Sequence, residues 1–94
     1  MAIDGSGRAL HTNGTATVAD FQKVTYTQRG ETVTCKNLIF RVTGAFPIRI
    51  SFDNGNNYLT LNPNEVLFER WHFSHYHVQS VGGDSAYQSI GTGL

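Results

Sequence analysis

A chain of 94 residues, 39% hydrophobic and 15% charged, makes one small domain, and at this size only about 60 to 65% of the unfolded surface is buried on folding. Seven basic and seven acidic side chains cancel to zero net charge and stand singly along the sequence, which argues against nucleic acid or an anionic membrane as partner. Cys35 is the sole cysteine, so an intrachain disulfide and a cysteine-rich zinc site are excluded, and no apolar run suits a signal segment or a bilayer span, so synthesis in a cytoplasm is the expectation.

In chain order, residues 1–14 combine three glycines with isolated apolar residues and show no period, which predicts an extended N-terminal arm ordered only against a partner. Residues 15–94 predict a single all-β domain. Thr15 to Val18 and Phe21 to Gln28 read as strands, closed by a turn at Arg29-Gly30. Glu31 to Gly44 reads as one long or two short strands, in whose second half Leu38, Phe40 and Val42 share one face and Ile39, Arg41 and Thr43 the other.

Ile48 to Leu61 is the clearest hairpin: Ile48, Ile50 and Phe52 alternate with Arg49 and Ser51, an Asn-Gly tip follows, and Leu59 and Leu61 resume the alternation. The tip, Asp53 to Asn57, carries one charge, too few for a usual calcium site, and reads as a turn that sets register. Asn62-Pro63-Asn64-Glu65 is a further turn, with Pro63 at its first central position. Val66 to Phe73, His75 to Val81 and a last strand after Gly82-Gly83-Asp84 complete seven to eight strands. This rhythm predicts a small antiparallel β-sandwich or jelly-roll-like barrel.

Phe68 to His77 concentrates the candidate chemistry. His75 and His77 project from one face of a strand roughly 7 Å apart, within reach of one metal ion, while His72 has the opposite parity. Two nitrogens fall short of the three protein ligands that zinc or a catalytic iron wants. Three copies of the pair on a threefold axis would supply six. The pair also resembles the cupin signature, but Val78 to Gly82 carries neither the following glutamate nor the second histidine; cupin enzymology is set aside and a related jelly-roll shape stays open. Glu65 and Glu69 lie roughly 13 Å apart by strand rise, beyond the 5 to 9.5 Å of a glycosidase pair. The residues therefore predict no enzyme and no cofactor. Tyr58, Trp71, Phe73, Tyr76 and Tyr87 could instead make an aromatic platform for carbohydrate, with burial of Trp71 and Phe73 in the core as the plainer role.

The central FPIRISFDNGNNYLTLNPNEV resembles the small β-sandwich virion proteins of tailed bacteriophages, through Ile48, Ile50, Ser51, Phe52, Asp53, Gly55, Leu59, Leu61, Pro63 and Glu65. The resemblance implies a capsid decoration or cement protein on the virion surface, which would assemble as a homotrimer and clamp major capsid protein junctions non-covalently. It implies an intersubunit face at Trp71, Phe73, His75, Tyr76 and His77 and a capsid-contacting arm with Ile3, Arg8 and Leu10. In the same setting a minor tail or spike component would place His75 and His77 as metal ligands on the threefold axis.

Overall fold

The computed structural model describes residues 10–28 and 30–92, without the side chains of residues 28 and 71. Ten strands are present among them: β1 (Leu10–Ala16), β2 (Gln22–Thr25), β3 (Thr27–Gln28), β4 (Glu31–Thr32), β5 (Cys35–Val42), β6 (Ile48–Ser51), β7 (Leu59–Leu61), β8 (Val66–Phe73), β9 (His75–Ser80) and β10 (Ser85–Thr92). Two antiparallel four-stranded sheets, in the orders β1-β10-β5-β8 and β2-β9-β6-β7, carry the fold, with β3 and β4 as a separate ribbon. The all-β sandwich read from the sequence is therefore present, with that ribbon among the extra strands.

The period-two pattern dictates which faces meet. Leu38, Phe40 and Val42 of β5 are fully buried, and Ile48 and Ile50 of β6 oppose them from the second sheet, with Tyr76 and Val78 of β9 beside them. Burying a side chain of this size is worth about 1.5 to 3 kcal/mol, which is why the alternation fixes the register. Phe40 stacks on Tyr87 at 5.0 Å between centroids and meets Tyr76 edge-on at 5.9 Å. Rings from both sheets thus interlock.

Two expectations need correction. The arm predicted over residues 1–14 is already strand from Leu10, because β1 pairs with β10 in unbroken register from Leu10 opposite Gly91 to Ala16 opposite Ser85. Ile3 and Arg8 lie outside the described residues, and Leu10 packs half-buried against the core. The second correction concerns Ser74. It stands between β8, an edge of the first sheet, and β9, inside the second. The aromatic and histidine run from Phe68 to His77 is thus split between the two layers.

The turns follow their residues. In the Asn62 to Glu65 turn, the Glu65 amide donates to the Asn62 carbonyl at 3.0 Å and the Glu65 carboxylate accepts from the Asn62 amide at 2.6 Å. Asn64 takes a φ of 69° there, a conformation that Asn tolerates better than most residues. Glu65 is thus committed to a turn.

A candidate binding cavity and where the predicted residues fall

β7 and β8 are edge strands of opposite sheets, joined by the Asn62 to Glu65 turn. Beside them a cavity of about 480 Å³ opens, lined by Ile50, Phe52, Asp53, Asn57, Tyr58, Leu59 and Glu69. That volume falls in the range of small-molecule sites, about 300 to 1,000 Å³. Phe52 ties the cavity to the core, with its ring 6.2 Å from Phe73 and 6.0 Å from Tyr76. Ile50 comes from the inward face of β6, and Tyr58 and Leu59, about half exposed, stand at the mouth.

Glu69 reaches the cavity through register. It pairs directly with Leu38, which is fully buried, and paired residues of antiparallel strands share a face. Its carboxylate has no hydrogen-bond or ion-pair partner among the described residues. Asp53 is the opposite case. Its Oδ1 accepts from the Asn57 amide and the Ser51 hydroxyl, each at 2.8 Å, and its Oδ2 accepts from the Asn57 side chain at 2.7 Å. The Asn57 bonds, then the Ser51 hydroxyl, hold the Asp53 carboxyl below its ordinary range. The tip predicted as a turn is therefore a braced turn, and it leaves a second negative charge at the cavity. Among the described residues, no basic side chain lines it.

The described side chains among the nominated interface residues do not share a surface. Phe73 and Tyr76 are core residues, exposed by 5% and 0%, because β8 and β9 each turn these positions inward. Trp71 lies within β8. Tyr87 is also buried, so of the five proposed platform residues only Tyr58 is shown at the surface among the described side chains. The described side chains of this set form no flat aromatic platform.

His75 and His77 do share a face, as their spacing predicts, with ring centroids 5.5 Å apart and planes at 86°. Parity puts that face on the outside of the second sheet, since Tyr76 and Val78 between and after them point into the core. His72 belongs to the first sheet and lies in a groove on its outer side. Burial first, then His75 and Lys23, push the His77 pKa down, and its Nδ1 is buried with no partner among the described residues. No three His, Cys, Asp or Glu side chains come together as a metal-binding group among the described residues. The interior offers phenols, serines, Cys35 and Glu69 rather than imidazoles, so this donor set does not fit a metal held inside the sandwich.

Comparison with known proteins supports the fold. No family model matches the sequence, and no curated protein matches it. Solved structures do: the whole chain superposes on an HTH_3-family transcriptional regulator from Vibrio cholerae with a TM-score of 0.64 at 12% identity, spanning 47% of that longer chain. A cupin domain of an XRE-family transcriptional regulator from Enterobacter cloacae gives a TM-score of 0.61 at 13% identity, with 96% of this chain and 86% of that one covered. The polyketide cyclase RemF from Streptomyces resistomycificus gives 0.56 at 13% identity, covering 97% and 58%.

The class of fold follows: an antiparallel β-sandwich of the cupin type. The chain carries that fold with its own interior chemistry. The resemblance to phage virion proteins, and the capsid decoration, tail or spike roles drawn from it, are corrected by these likenesses, which lead to cupin-fold regulators and an enzyme instead. Catalysts and regulator domains both occur among them, so the fold is compatible with either.

Proposed function

We propose that the chain is a non-catalytic, small-molecule-binding cupin-fold module whose ligand is an organic cation with an apolar body, such as a primary amine on a hydrocarbon or aromatic frame. One observation carries this reading: the cavity beside β7 and β8 is walled by Ile50, Phe52, Tyr58 and Leu59, and among the described residues its only charged lining side chains are the carboxylates Glu69 and Asp53. An apolar wall takes up the ligand body, and the unpartnered Glu69 gives the ammonium group a charge-assisted hydrogen bond. Asp53, already bonded, adds field rather than a contact.

The non-catalytic reading rests on the lining, which among the described residues sets no Ser, Cys, His or Lys beside Glu69, while its other carboxylate, Asp53, is taken up by Ser51 and Asn57. Glu65 is held in its turn, and Cys35 is buried elsewhere, its thiol pKa raised by burial. Calorimetric titration of the whole chain with benzylamine and with benzyl alcohol tests the proposal. Binding of the amine, with loss of the preference over the alcohol in Glu69→Gln, is the expected result. Binding of neither compound would overturn the reading.

A further inference from the structure

The outer face of the first sheet carries a second, opposite pattern. Three cross-strand rows follow from the register. The middle row is Ile90, Ile39 and Phe68 on β10, β5 and β8, with His11 of β1 at its end. One flanking row is Gln88, Arg41 and Val66; the other is Thr92, Asn37 and Arg70. A bulge between Cys35 and Asn37 brings Lys36 to the same side, where it joins Arg70, His72 and Phe68 around a depression of about 630 Å³. A second depression of about 430 Å³, holding Arg41, His11 and Ile90, shares Ile39 with the first. Phe68 is 59% exposed and Val66 56%.

Among the described residues, no Asp or Glu stands in these rows or lines either depression. A chain of zero net charge has thus gathered Lys36, Arg41 and Arg70 onto one face. Arg41 and the position opposite Arg70 are four residues apart on β5, which is roughly 13 Å at strand rise. An α-helix with its side chains is about 10 to 12 Å across. A helix crossing the strands along the middle row would therefore lay an apolar stripe on Ile90, Ile39 and Phe68 and reach one arginine on each flank.

We infer that this face docks an acidic amphipathic helix of a partner polypeptide. Charge complementarity selects the occupant: a second copy meeting this face by twofold symmetry would set Arg41 and Arg70 against like charges. The apolar positions of the row are aliphatic apart from Phe68, with the His11 ring at the far end, so the row offers little continuous stacking surface to the bases of a single-stranded nucleic acid. An acidic helix with an aliphatic stripe satisfies both the row and its flanks.

The test uses a fluorescent helical peptide with Leu along one face and Glu on both flanks, titrated with the whole chain by anisotropy. A shuffled peptide of the same composition and an oligo-dT strand are measured alongside. The expected result is saturable binding of the helix alone, weakened about tenfold or more by Arg41→Glu with Arg70→Glu and similarly by Phe68→Ser, and unchanged by Lys23→Glu on the other sheet. Melting curves check that each variant folds, and Lys36→Glu replaces any that does not. Equal binding of the shuffled peptide, tighter binding of oligo-dT, or indifference to these substitutions would overturn the inference. Because Glu69 lies on the inner face, Glu69→Gln leaves this binding intact.

Discussion

The hydroxyls of Tyr26 and Tyr76 lie 3.1 Å apart, and both meet the Ser89 hydroxyl, at 2.6 Å from Tyr26 and 2.8 Å from Tyr76. Ser89 of the first sheet, Tyr76 of the second and Tyr26 of the link between β2 and β3 thereby satisfy one another inside an aromatic core. Burial first of all raises both phenol pKa values, so the tyrosines stay protonated donors. Ser89 makes the two shorter bonds of the triad and also meets the Thr12 carbonyl at 3.4 Å, so its removal breaks three contacts and leaves only the 3.1 Å pair of phenols, whereas removing the Tyr76 hydroxyl breaks two and leaves Tyr26 and Ser89 paired at 2.6 Å. Urea unfolding should show Ser89→Ala costing about 1 to 3 kcal/mol and Tyr76→Phe less, since more buried hydrogen bonding is lost with Ser89. The reverse order would show that the triad is not the organising contact.

Acid should weaken the fold through His77. Its pKa is lowered in the folded state, so the unfolded chain takes up the proton more readily and stability falls with decreasing pH. The contribution is fully present above the unfolded value of 6.5 and is lost as pH drops from there through the lowered folded value. Thermal melts between about pH 7 and pH 5 should therefore slope downward, and His77→Gln should flatten the slope. An unchanged slope in the variant would assign the effect to other groups.

Glycine tolerance should differ sharply between two turns. A Cβ on Gly44 would sit 2.4 Å from the Ala86 backbone nitrogen, at a point where the Thr43 and Gly44 amides both donate to the Ala86 carbonyl. Backbone cannot yield there, so Gly44→Ala should cost about 3 kcal/mol or more. Gly30 has open space around it but a φ of +82°, and Gly30→Ala should cost about 1 to 2 kcal/mol through conformation alone. Chemical denaturation of the two variants measures the difference.

Glu69 should trade stability for binding. Glu69 stands on the inward face of β8, opposite buried Leu38, with no partner among the described residues, so Glu69→Leu should raise stability by about 0.5 to 2 kcal/mol while removing the preference for amines. A destabilised Glu69→Leu would mean that the carboxylate has a structural job.

Much of the framework was legible in the residues. Leu38, Phe40 and Val42, and the Ile48 to Leu61 hairpin, declare themselves by a period of two that only a half-buried sheet satisfies. The positions that carried the phage resemblance are largely turn chemistry: the Ser51 hydroxyl accepts from the Gly55 amide at 2.8 Å and bonds to Asp53, and Glu65 closes its own turn. Such bracing suits many β-sandwiches, which is why it conveyed shape and not role. Phe73 and Tyr76 looked like surface candidates because Ser74 hides a change of sheet. Glu69 carried no motif at all; its pairing with Leu38 across strands far apart in sequence is what aims it inward. Lys36, Arg41 and Arg70 likewise stand singly in the sequence, and only a register and a bulge collect them.

The most direct measurement is a titration of the nitrogen-labelled chain with hexylamine and with hexanol, followed residue by residue in amide spectra. The account predicts saturable shifts with the amine at Ile50, Phe52, Leu59 and Glu69, weak shifts with the alcohol, and loss of the difference in Glu69→Gln. Equal responses to both compounds, or amine shifts confined to other parts of the sandwich, would contradict it.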